Sequence, residues 1–284
     1  MTGESADQGR SKMVLLGTGT PNAEPDRSGP SVAIVVDETP YIVDFGPGVV
    51  RRAAAACEAG IGALEVKNLT RGFLTHLHSD HTTGYPDLIL TPWVLERDEP
   101  LEVYGPIGTR AMTDHLLAAY REDIEARLAG PEPINDGGYC VNVHEIEAGM
   151  VYQDSDVRVE ALPVVHGAIT AFGFKFYTPE RTIVISGDTA PTEAIVEASL
   201  GCDVLLHEVY SAKRFEKRSA VWQRYHSAVH TSSYEVADIA ARARPGLLIL
   251  YHQLLWGASE IDLLSEVQER YDGEVVSGND LEVY

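Results

Sequence analysis

Basic residues are scarce in this chain of 284 residues. Lys and Arg number 22 against 43 Asp and Glu, a net charge of −21. A surface of that sign repels polyphosphates and anionic lipid, so general nucleic-acid or membrane-surface binding is not expected unless a local cation reverses the field. Cysteine is nearly missing: Cys57, Cys140 and Cys202 are far apart and odd in number. They offer neither a disulfide framework nor a Cys-x-x-C metal site, and read as small buried hydrophobes. No stretch approaches the roughly 18 consecutive apolar residues of a membrane span. Residues 1–12 lack an apolar signal core, so a polar tail and a cytoplasmic location are expected, with secretion only if a signal has been removed. Repeats and low-complexity tracts are absent too. What remains is ordinary globular composition, 44% apolar and 23% charged, suited to one domain over residues 13–284.

Short β-rich runs dominate. Residues 13–16 lead into the turn Gly17-Thr18-Gly19-Thr20, and residues 31–36 and 41–45 form a predicted hairpin. Further strands are predicted at 71–75, 101–104, 141–146, 157–162, 171–177, 182–186, 204–206 and 247–251. Helices are predicted at 49–59, at 109–128, after a capping box at Ser232-Ser233-Tyr234-Glu235, and at 259–271, where Asp262 can close its own cap. Strands in both halves with helices between them predict layered α/β, two sheets sandwiched by helices. The pattern alone is equally compatible with a doubly wound sheet.

The chemistry concentrates in Thr75-His76-Leu77-His78-Ser79-Asp80-His81, just past a strand-like run. In an extended segment His76 and His78 point the same way. A turn after them would present Asp80 and His81 nearby. Imidazole and carboxylate are the donors that zinc-like cations prefer, and one tight loop orders four of them. Three more candidates each follow a strand-like run: His166 after Leu162-Pro163-Val164-Val165, Asp188 in Ser186-Gly187-Asp188-Thr189, and His252 after residues 247–251. Competing motifs fail. Asn22 stands where a dinucleotide loop needs its third glycine, and Ser211 stands where a zinc-protease helix needs its second histidine. His115, His144 and His226 read as isolated surface or core residues, and Asp44 as a hydrogen-bonding support for the histidine loop.

In this order, His76-x-His78-x-Asp80-His81, His166, Asp188 and His252 resemble the metal-binding motifs of the metallo-β-lactamase superfamily. The likeness runs from Leu15-Leu16-Gly17-Thr18-Gly19-Thr20 to His252 and is most similar to the ribonuclease Z and arylsulfatase-like branch. It implies an αββα sandwich with two zinc ions per chain at one edge, manganese or iron being the alternatives. His76, His78 and His166 would hold one ion, Asp80, His81 and His252 the other, and Asp188 would bridge them. Leu206-His207-Glu208-Val209 and Val229-His230-Thr231-Ser232 resemble two further segments of that branch. The resemblance implies that Glu208 orients His230, which protonates a leaving group, so Asp80, His230 and Glu208 form the expected catalytic group.

Only 21 residues, Gly167 to Gly187, separate His166 from Asp188, where ribonuclease Z often carries a long tRNA-gripping arm. With the acidic total, this disfavours tRNA and favours a small-molecule ester. The expected activity is a binuclear zinc hydrolase, in which a metal-bridging hydroxide attacks a small anionic ester, a phosphodiester or an aryl sulfate. A lactonase or other carboxylic ester hydrolase is the runner-up, and a metal-stabilised sensor or interaction protein the non-enzymatic rival. A di-iron redox protein usually has Glu where His78 stands. The oligomeric state is left open, a homodimer being suggested only by analogy with relatives, and no membrane partner is expected. Residues 86–100, with Leu88, Ile89, Leu90 and Trp93, are expected to roof the site. Trp222, Tyr225 and Trp256 are expected either to line it or to pack in the core.

Overall fold

Met13 and Leu15 point into one apolar layer, Val14 and Leu16 into another, and all four are fully buried. The same alternation holds at Ile34 against Val35, Ile183 against Val184, and Ile249 against Leu250. Strands covered on both faces read as continuous apolar runs, which is why their sequences show no clean in-out pattern. The computed structural model describes residues 10–284 and forms two sheets.

The first sheet runs β1 (Ser11–Gly17), β2 (Ser31–Val36), β3 (Thr39–Val43), β4 (Arg71–Phe73), β5 (Leu101–Gly105) and β6 (Val141–Glu145), in that spatial order. The second contains β7 (Gly149–Gln153), β8 (Arg158–Pro163), β9 (Phe172–Tyr177), β10 (Thr182–Ile185), β11 (Val204–Tyr210), β12 (Leu247–Leu254) and β13 (Val275–Ser277), also in sequential order. Each sheet has an antiparallel part, β1–β3 or β7–β10, followed by a parallel part. Between the sheets Phe73 meets Phe174 and Phe176 edge-on at ring separations of 5.7 and 5.5 Å. Helices Val49–Glu58 and Tyr85–Val94 cover the first sheet, and Glu193–Ser199, Ser233–Ala243 and Glu260–Gln268 cover the second. The result is the four-layer αββα sandwich. None of the described helices is long and apolar enough to cross a membrane.

Several expected boundaries move. The tail expected over 1–12 is shorter, because Ser11 and Lys12 already pair with Val36 and Val35; residues 1–9 lie outside the described residues. The helix expected over 109–128 breaks at Tyr120 into Thr109–Ala119 and Arg121–Ala129. Strands β7 and β13 and the helices Glu193–Ser199 and Ala220–Val229 had no counterpart in the expectation. Both capping boxes form, at Ser232 with Glu235 and at Ser259 with Asp262.

The expected roof is a correction. Leu88, Ile89 and Trp93 are buried in the first helical layer, and Leu90 packs against it. Trp93 Nε1 donates to Asn135 O at 2.8 Å. Arg97 pins this segment from within, donating to the backbone carbonyls of Leu69, Leu88, Ile89 and Gly138. An apolar run flanked by prolines served the core, not the mouth of the site.

Candidate metal centre

The histidine loop is anchored by one carboxylate. Asp44, just past β3, accepts from the Thr75 backbone N–H at 2.8 Å and from the Thr75 hydroxyl at 2.9 Å. It also lies 2.8 Å from His81 Nδ1. Asp44 has φ 61°, a left-handed conformation that Asp tolerates better than most residues. Leu74 and Thr75 carry the chain out of β4, and the single helical turn Ser79–Thr82 swings Asp80 and His81 back over His76. The second sheet closes in through Phe172, whose N–H donates to Thr75 O at 2.9 Å. Gly187, at φ 60°, permits this seam: a Cβ there would sit 2.7 Å from Phe172 O. In β12 the pairing steps from Glu208↔Tyr251 to Val209↔Gln253, leaving His252 as a bulged residue at φ 44°. The bulge re-aims His252 toward the loop.

The seven candidate ligands converge. His78 Nδ1 lies 3.0 Å from both His76 Nε2 and His166 Nε2. His252 Nε2 and His81 Nε2 lie 3.2 and 3.4 Å from Asp80 Oδ2. Asp188 stands between these two groups, with an oxygen 4.0 Å from His76 Nε2, 3.8 Å from His166 Nε2, 3.5 Å from His81 Nε2 and 3.6 Å from His252 Nε2. Only His78 is appreciably solvent-accessible among the five histidines.

The donor set fits divalent cations on its own chemistry. The Thr75 hydroxyl gives its proton to Asp44, so it accepts at His76 Nδ1, 2.9 Å away. A carboxylate and the Val229 carbonyl can only accept, so His81 Nδ1 and His166 Nδ1, the latter at 2.7 Å, also carry protons. In its neutral form each of the three rings would therefore present a bare Nε2 to the centre, the outer hydrogen bond setting the tautomer as in metal-ligating histidines. His81 Nε2 and Asp188 Oδ1 are buried with no hydrogen-bond partner among the described residues. Burial, with His81 adding to it, holds His76 well below its usual pKa, and burial holds His166 down at about 4, so both are neutral donors. Burial opposes ionisation of Asp188, yet His252 and His81 hold it well below the usual carboxylate range.

Beside this centre, His230 Nδ1 lies 3.1 Å from Glu208 Oε1, which also accepts from the N–H groups of Thr189 and Thr231. Burial would lower the His230 pKa, but Glu208 and then Asp188 outweigh it and carry it up to about 9. His230 caps the C-terminus of helix Ala220–Val229, and its Nδ1 lies 4.0 Å from Asp188 Oδ2, so these two with His166 are close enough to one another to share an ion. His207 points away: it is fully buried, with Nδ1 2.6 Å from Glu208 O. His115 is exposed, and His144, stacked on Tyr104 in the edge strand β6, pairs with Glu102 at 2.7 Å.

His226 departs from the isolated role expected of it. It is buried, its ring 5.5 Å from Trp222, 4.6 Å from Trp256 and 5.6 Å from His230. The spacing 222–226–230 is the i, i+4 signature of one helix face, which the sequence carried once a helix there is recognised. Tyr225 borders the metal-side cavity, while Trp222 and Trp256 sit behind it against His226.

Residues 41–253, from β3 through His252, match the family described as a beta-lactamase superfamily domain. The chain belongs to the metallo-β-lactamase superfamily. It is a metal-dependent hydrolase. Among curated members, ribonuclease Z of Mycobacterium bovis (strain BCG / Pasteur 1173P2) is 32% identical over 288 residues, covering 95% of this chain and 96% of that one. Ribonuclease Z of Mycolicibacterium gilvum (strain PYR-GCK) is likewise 32% identical, over 276 residues, covering 95% of this chain and 94% of that one. The fold is shared with the superfamily protein YhfI from Bacillus subtilis, at a TM-score of 0.74, 17% identity, and coverage of 96% and 98%. It is also shared with the short form of human tRNase Z, at a TM-score of 0.72, 22% identity, and coverage of 96% and 98%.

Proposed function

We propose that this hydrolase cleaves phosphodiesters, using two zinc ions held by His76, His78 and His166 on one side and Asp80, His81 and His252 on the other. The observation that carries the reading is the position of Asp188, within 4.0 Å of ring nitrogens in both groups. Two divalent cations in such a site supply a water acidified to react at neutral pH and neutralise the charge of an anionic ester. Five imidazoles and two carboxylates suit zinc, with manganese or iron as alternatives. His230 is the proton donor to the departing alcohol oxygen. Glu208 fixes its ring through Nδ1, leaving Nε2 to face the ester.

The short β9–β10 hairpin between His166 and Asp188 and the net charge of −21 support a small diester as substrate. Relatives of nearly the same length named ribonuclease Z support a second reading, cleavage of an RNA phosphodiester. One zinc-loaded preparation assayed on bis(p-nitrophenyl) phosphate, p-nitrophenyl sulfate, an aliphatic lactone and precursor tRNA separates these. The phosphodiester should turn over fastest. Efficient, salt-sensitive tRNA cleavage favours the second reading, and preference for the lactone or sulfate refutes phosphodiester specificity.

A further inference from the structure

A cavity of about 390 Å³ opens directly onto the metal centre. Its wall includes His78 and His166, and it is completed by Gly167, Ala168, Ile169, Tyr225 and Val229. No Lys, Arg, Asp or Glu lines it. Two cavities of similar size, about 420 and 440 Å³, share Lys67 and Glu96 and border none of the seven candidate ligands. The first of them includes Thr39 and Arg71, where β3 and β4 begin, whereas Asp44 and His76 follow the ends of those strands.

We infer that the cavity beside His78 and His166 binds a flat, uncharged aromatic ring carried by the ester, with Tyr225 as the residue that selects for it. This rests on the phosphodiester reading for what the ring is attached to. Three observations lead there. The volume falls within the range of small-ligand sites, which bury apolar groups and use few polar ones. Beyond the proposed ligands His78 and His166 the lining has no Lys or Arg, so a second phosphate seated away from the metals would lose its water without gaining a partner. Tyr225 is held in place: its ring lies 5.8 Å from Trp222 and 5.1 Å from His226, both edge-on. His226 in turn stacks on Trp222 and lies against Trp256, and Arg218 lies 5.5 and 5.0 Å over those two indoles. A half-exposed tyrosine backed by such a stack offers a ring face with little rotamer entropy left to lose. Val229 borders the same cavity and immediately precedes His230, so a ring seated there lies next to the proton donor.

The ring could be an aryl group or a nucleobase, and binding of unreactive anions tells them apart. Phenyl methylphosphonate, uridine 5′-methylphosphonate and methyl methylphosphonate share one anionic head and differ in the substituent. Calorimetric titration of the zinc-loaded protein should show a ring-bearing ligand binding about tenfold more tightly than the methyl one, the scale of one stacking contact. Preference for phenyl identifies an aryl ester, and preference for uridine a nucleotide. Tyr225→Ala should bring the ring-bearing ligands down to the affinity of the methyl ligand, and Tyr225→Phe should retain the preference. Equal affinity for all three in the wild type overturns the inference. So does a Tyr225→Ala variant that weakens all three alike. Because no turnover is needed, ring preference in a protein that hydrolyses no phosphodiester would leave the cavity assigned and refute the reaction instead.

Discussion

Asp44 and His81 are joined by a 2.8 Å contact between Oδ2 and Nδ1, and the same carboxylate holds the Thr75 backbone. One buried acid therefore sets both the path of the histidine loop and the tautomer of one of its rings. Asp44→Asn keeps a side chain that tolerates the left-handed backbone and removes the charge. Zinc affinity should fall about 10- to 100-fold, measured by competition with a chromogenic chelator. Wild-type affinity in this variant would show that the contact does not reach the metals.

Metal content tests the ligand set. The protein should hold two first-row metal ions per chain, mainly zinc, by elemental analysis. His78→Ala should lose one ion and turnover with it, whereas the exposed His115→Ala should lose neither. Full activity with one ion or none would end the binuclear reading.

The His230–Glu208 pair makes a prediction about leaving groups. General acid catalysis is worth about 10²–10⁴-fold where the leaving oxygen needs a proton. His230→Ala should slow alkyl esters by roughly that factor and nitrophenyl esters much less, with both ions retained. Glu208→Gln should follow the same pattern more weakly. Because His230 also lies near His166 and Asp188, loss of an ion in His230→Ala would make it a ligand, and equal slowing of both ester types would make it a substrate-positioning group.

Arg97 should prove a stability residue far from the chemistry. It is 1% exposed, every hydrogen bond from its guanidinium goes to a backbone carbonyl, and burial pushes its pKa down to about 10. Arg97→Met removes all of these bonds, at about 1–3 kcal/mol for each carbonyl left dry and without another donor. Thermal melting should drop by roughly 5 °C or more, with metal content unchanged. An unaltered melting curve would contradict the role.

The histidine loop was legible as a candidate ligand set because its donors are crowded into consecutive residues after an apolar strand, and chemistry of that density has few other uses. His166, Asp188 and His252 were legible only as residues past strand ends, and their convergence is a property of the sandwich. Other features were hidden. Leu88, Ile89 and Trp93 have the composition of either a roof or a core, and only the buried Arg97 decides between them. His226 gains its aromatic setting partly from Trp256, thirty residues along the chain, which no local pattern announces. The bulge at His252 likewise depends on register against β11, a long-range pairing.

The seven proposed ligands are divided between the two sheets. His76, His78, Asp80 and His81 leave β4 of the first, whereas His166, Asp188 and His252 belong to the second. Neither half is a complete chelator. Cations bound there tie one half of the sandwich to the other, so their binding free energy is also free energy of docking. Nicking the short link between β6 and β7 would leave two fragments with incomplete sites. Their reassociation, followed by size-exclusion chromatography, should then depend on zinc concentration, and zinc-independent reassembly would show that the apolar seam suffices.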